Sequence, residues 1–107
     1  MRTNLRFPLR YIMPRNQKWE RVTDLTWLTS ACSHRYVRVA DLVGIQSFVT
    51  IAGIKTIKTT DDRRPIYVVK IASVYYIRDG HHRVTNALLS GKKKIFAAVL
   101  ELEDENV

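Results

Sequence analysis

The residues best suited to chemistry lie in one stretch, Tyr75-Tyr76-Ile77-Arg78-Asp79-Gly80-His81-His82-Arg83. An apolar run gives way here to Asp-Gly, and Val84, Ala87 and Leu88 come next at the i, i+3, i+4 spacing of an amphipathic helix. A glycine where a strand turns into a helix lets a ligand approach the backbone, and the N–H groups of the first helical turn attract phosphate. Arg83 opposes the bare helix dipole in that turn, yet its guanidinium forks well onto phosphate oxygens. That mismatch favours a bound anion held by Gly80, His82, Arg83 and Thr85. His81 and His82 add donors or proton-transfer groups, and with Asp79 they form the candidate catalytic set. Plainer roles stand beside these: Asp79 as a helix cap, Gly80 as a turn residue, Arg83 as a partner of Asp79. Zinc is disfavoured, because adjacent helical side chains point about 100° apart and no second carboxylate cluster is near.

The elements that position this stretch can be read from periodicity. Ile66–Ile71 and Val74–Arg78 read as two strands of a hairpin turning at Ala72-Ser73, and His81–Ser90 reads as a helix closed by Gly91. After Lys92, Lys93 and Lys94, Ile95–Leu100 is apolar enough for a strand buried on both faces. This strand–helix–strand unit predicts a parallel, right-handed crossover. Tyr36–Val39 alternates as a half-buried strand does, while Gln46–Thr59 fits strand and helix spacing alike and stays open between them. Upstream, Pro8 and Pro14 break any helix through Arg2, Arg6 and Arg10, so residues 1–36 read as a basic arm or extension. Trp19, Val22, Leu25, Trp27 and Leu28 suggest a short helix within it.

Composition sets the class. The chain has 107 residues with 46% apolar and 26% charged, the profile of one globular domain with a single core. Its longest apolar run is the six residues Ile95–Leu100, far short of the ~20 that span a bilayer. No hydrophobic segment near the start resembles a secretory signal, so a cytoplasmic location is expected. Cys32 is the one cysteine, which excludes an internal disulfide and a cysteine zinc cluster. A formal net charge of +8 favours a polyanionic partner such as nucleic acid, with high solubility as the bland alternative. Arg2, Arg6, Arg10, Arg15, Lys92, Lys93 and Lys94 are the candidate nucleic-acid contacts.

The order of motifs from Val37 to Glu101 resembles the ParB/sulfiredoxin-like superfamily, in particular its small ParB-like nuclease-domain proteins of phages and mobile elements. The matching parts are Val39-Ala40-Asp41-Leu42-Val43 followed by Gln46, then Pro65-Ile66-Tyr67-Val68-Val69, then Tyr75-Tyr76-Ile77 leading into Asp79-Gly80-His81-His82-Arg83, and Gly91 followed by Ile95. The resemblance implies a mixed α/β (α+β) domain over residues 37–107 whose loop and helix start hold nucleotide phosphates. The sulfiredoxin signature has a reactive cysteine where this chain has His81, which rules out that chemistry here. Free-serine kinases share the D-G-H-H-R style of motif, but this chain has no Glu between Glu20 and Glu101 to act as base, leaving only Asp41. The expectation is a domain that binds ATP, ADP or CTP with Mg2+, or nucleic-acid phosphate, at Gly80–Arg83. The competing readings are a phosphotransferase or nuclease of the same fold, and a host-protein-binding module using residues 1–36 with Trp19 and Trp27.

Overall fold

The computed structural model describes residues 3–12, 32–55 and 64–102. A short strand β1 (Asn4–Arg6) pairs antiparallel with β4 (Phe48–Thr50), which runs into a one-turn helix α1 (Ile51–Lys55). The main sheet holds β2 (Ser33–Arg38), β3 (Leu42–Val43), β5 (Ile66–Ile71), β6 (Val74–Asp79) and β7 (Lys94–Leu102), in the order β2-β7-β5-β6-β3. Helix α2 (His81–Leu89) joins β6 to β7. The segment left open between strand and helix, Gln46–Thr59, is both in turn: Phe48–Thr50 is extended and Ile51–Lys55 is helical.

The expected parallel pairing across α2 is corrected. β7 runs parallel to β5 and β5 antiparallel to β6, so β7 is antiparallel to β6 and lies two strands away. Two strand spacings amount to ~9.6 Å. A nine-residue helix is ~13 Å long, enough to carry the chain sideways and return it at the same end of the sheet.

Alternation along the strands divides the sheet into two faces. Val37, Ile66, Val68, Ile77, Ile95, Ala97 and Val99 form the inner face with Val84 and Ala87 of α2 and Phe7 of the N-terminal segment. Val69, Ile71, Ala98 and Leu100 make a second cluster on the outer face. Burial of the apolar side chains on the inner face stabilises the fold by about 1.5–3 kcal/mol for each large residue.

Part of the segment read as an arm is built into the domain. Phe7 is buried in the core, its N–H donates to the Ser47 carbonyl, and β2 begins at Ser33. Arg6 and Arg10 are exposed, whereas Arg2, Arg15, Trp19 and Trp27 lie outside the described residues, as does the short helix expected near them.

Candidate functional site

The chain leaves the sheet through a β-bulge. Asp79 pairs with Tyr67 and Ile77 with Val68, so β6 carries one extra residue, Arg78, just before the turn. Bulges of this kind bend a strand and re-aim the residues beyond it. Gly80 then takes φ 123°, a conformation reserved in practice for glycine, and a Cβ there would lie 2.6 Å from Ile66 Cγ2. Gly80 is the N-cap of α2, no side chain caps the helix, and the first turn holds no acidic residue. Asp79 is therefore exposed at the strand end and does not cap the helix. The intrahelical ladder opens with Val84 N–H donating to the Gly80 carbonyl at 2.9 Å, so the amides of His81 and His82 open out of the helix start.

The two histidines are acceptors. Nε2 of buried His81 receives the Ile45 N–H at 2.9 Å, and its ring meets Phe7 edge-on with centroids 5.2 Å apart. Nε2 of His82 receives the Thr50 N–H at 3.1 Å, with the Thr50 hydroxyl oxygen 3.2 Å away. An accepting Nε2 puts the ring proton of a neutral imidazole on Nδ1. Burial, with a smaller contribution from His82, lowers the His81 pKa from 6.5 to about 4, which keeps that ring neutral at physiological pH. The motif thus fastens α2 to the 44–50 segment. Thr50 Oγ1 also accepts the Gly53 N–H at 3.0 Å in the manner of an N-cap, and a Cβ on Gly53 would strike the His82 ring at 2.5 Å.

Other expected site residues fall in different places. Thr85 is fully buried, and its hydroxyl donates to the His81 carbonyl at 2.8 Å, so it shapes the first turn from inside. Arg83 is half-buried in that turn. Lys93 and Lys94 are exposed at the start of β7, beside Arg38 at the end of β2, and Lys92 precedes them. These termini lie at the same end of the sheet as Gly80, because β7 starts where β6 finishes. Among the described residues no group of three or more His, Cys, Asp or Glu side chains could hold a metal ion. A cleft of about 570 Å³ lined in part by Arg10, Asp41 and Tyr75 lies at the other end of β6, ~16 Å along the strand from Gly80. Ile45, Thr50, Gly53 and Ile66 were not legible as parts of the site. Only Thr50, a cap-type residue opening a short helix, carried a local signal.

The fold has counterparts among solved structures. Sulfiredoxin from Arabidopsis thaliana matches with a TM-score of 0.57 at 16% identity, covering 69% of this chain and 91% of that one. The fold is sulfiredoxin-like. A mutant free serine kinase in complex with AMP matches with a TM-score of 0.56 at 19% identity over 67% of this chain. This chain spans 32% of that kinase, about a third of its length. No protein-family model matches the sequence, and comparison with curated proteins gives no match. The fold expected from the order of motifs is the one the structure has, a single mixed α/β domain.

Proposed function

We propose that this domain binds the phosphate groups of a nucleotide at the start of α2. The observation that carries the reading is the Gly80 turn: a helix N-terminus with no capping side chain and no acid in its first turn, entered through a glycine whose φ of 123° turns the chain from β6 into α2. Arg83 supplies the fork, and Nδ1–H of His82 is a further donor, since Nε2 is taken up by Thr50. His81 serves as a positioning residue that holds the helix start against Ile45.

Two further facts support the reading. Arg38, Lys93 and Lys94 gather at the same end of the sheet and add positive field around a triphosphate. A neighbour of the same fold was solved with AMP. ATP, ADP and CTP, with Mg2+ neutralising the phosphates, are the ligands to test, and phosphates of DNA are the larger polyanion that the same basic end attracts. The experiment is calorimetric titration of each nucleotide into the wild-type protein and into Arg83→Ala, with and without Mg2+. Binding that weakens about ten-fold or more in the variant supports a phosphate site there. Equal affinity in the two proteins overturns it.

A further inference from the structure

The outer face of the β2–β7 edge carries an aromatic row, leading up to Arg38 and Lys94, that the nucleotide reading does not use. Strand alternation puts His34, Tyr36 and Arg38 of β2 on the face opposite Val37, and Lys94 and Phe96 of β7 on the face opposite Ile95 and Ala97. Tyr36 and Phe96 are direct cross-strand partners with ring centroids 5.3 Å apart and planes at 52°. His34 extends the row, its ring 6.2 Å from Phe96. One register step beyond Tyr36 and Phe96 on this face, Arg38 lies directly opposite Lys94, with Lys93 next in the chain.

Three properties of this patch point to one kind of partner. Tyr36 is 59% exposed and His34 is exposed, so the aromatic row faces solvent. A cross-strand aromatic pair stabilises an edge by itself, but burial is what gives such a pair most of its value, and Tyr36 is largely unburied. Like charges directly opposite in a ladder are unfavourable, and Arg38 and Lys94 stand so. Asp41 approaches Arg38 at only 3.9 Å with both side chains mostly solvated, which offsets little of that repulsion. An aromatic row beside paired cations complements a chain that alternates stacking bases with phosphates. A duplex hides its base faces, and so fits only the cations.

We propose that this face of the β2–β7 edge binds single-stranded nucleic acid, with bases stacking on Tyr36, Phe96 and His34 and the backbone running along Arg38, Lys93 and Lys94. The aromatic row lies on the opposite side of the sheet from α2, so Tyr36→Ala tests this site separately from the nucleotide site, although the two share the cations at this end of the sheet.

The test is fluorescence anisotropy of labelled oligothymidylate and oligouridylate strands of about twelve nucleotides, and of a duplex of equal length, at low and high salt. The wild-type protein is expected to bind strand more tightly than duplex. Tyr36→Ala is expected to weaken strand binding about ten-fold, while Tyr36→Trp retains it. Lys94→Gln is expected to lower the slope of log K against log salt by about 0.7. Circular dichroism and thermal melting confirm that each variant is folded. The deoxy and ribo strands separate DNA from RNA as the natural ligand. The proposal is overturned by a folded Tyr36→Ala protein that matches the wild type, by duplex bound as tightly as strand, or by a wild-type protein that only self-associates through this edge.

Discussion

At Gly80 two requirements coincide: a φ of 123° and a gap of 2.6 Å between the Cβ position and Ile66 Cγ2. Either alone disfavours any other residue, and together they predict that Gly80→Ala destabilises the domain by about 2–4 kcal/mol, measurable by thermal or denaturant unfolding. His81 gives the second prediction at this scale. Its unfolded form takes up a proton near pH 6.5, whereas burial delays that uptake in the folded protein to about pH 4. Between these values the unfolded state binds more protons, so stability falls as pH drops from 6.5 towards 4 and is fully present above 6.5. Melting temperatures of the wild type should decline across this window more steeply than those of His81→Gln, in which the amide oxygen can still accept the Ile45 N–H. Equal slopes would contradict the account. Residue types marked His81 and His82 as donors or proton-transfer groups, and gave no sign that both rings accept backbone amides from a segment more than thirty positions away. That reversal of roles depends on tertiary contact.

Among the elements, the β5–β6 hairpin and α2 were legible because composition, spacing and punctuation agree: Val-, Ile- and Tyr-rich runs on each side of Ala72-Ser73, then i, i+3, i+4 spacing up to Gly91. β2 was visible only from Tyr36, since its first residues Ser33, His34 and Arg35 lie on an exposed edge and carry no apolar alternation. The direction of β7 could not be read, because a connection of α2's length allows either a parallel return or a sideways step. The turn of the hairpin carries a prediction of its own. Ala72 and Ser73 have φ of 50° and 69°, the left-handed pair of a type I′ turn, without the Asn-Gly sequence that this geometry favours. Replacing them by Ala72→Asn and Ser73→Gly should stabilise the domain by about 1 kcal/mol, seen as a rise of a few degrees in melting temperature. A fall would mean that the turn is held by contacts other than its own backbone.

On the scale of the whole molecule, topology gathers residues that lie scattered along the sequence. The end of β6, the starts of β5 and β7 and the end of β2 meet at one end of the sheet, so Gly80 lies at the same end as Arg38, Lys93 and Lys94, with Arg38 and Lys94 on the face away from α2. The formal net charge of +8 predicted a polyanionic partner without saying where it would bind. The places proposed for it are the helix start without a capping side chain on one side of the sheet and the aromatic, cationic edge on the other. The central claim is that phosphate, rather than base or sugar, is what the α2 start recognises. It is tested most directly by titrating the protein with ADP and with adenosine, and then repeating the ADP titration on Arg83→Ala. The account predicts that ADP binds, that adenosine does not, and that the variant loses about ten-fold or more in affinity for ADP. Adenosine binding as tightly as ADP, or Arg83→Ala binding ADP as the wild type does, would contradict it.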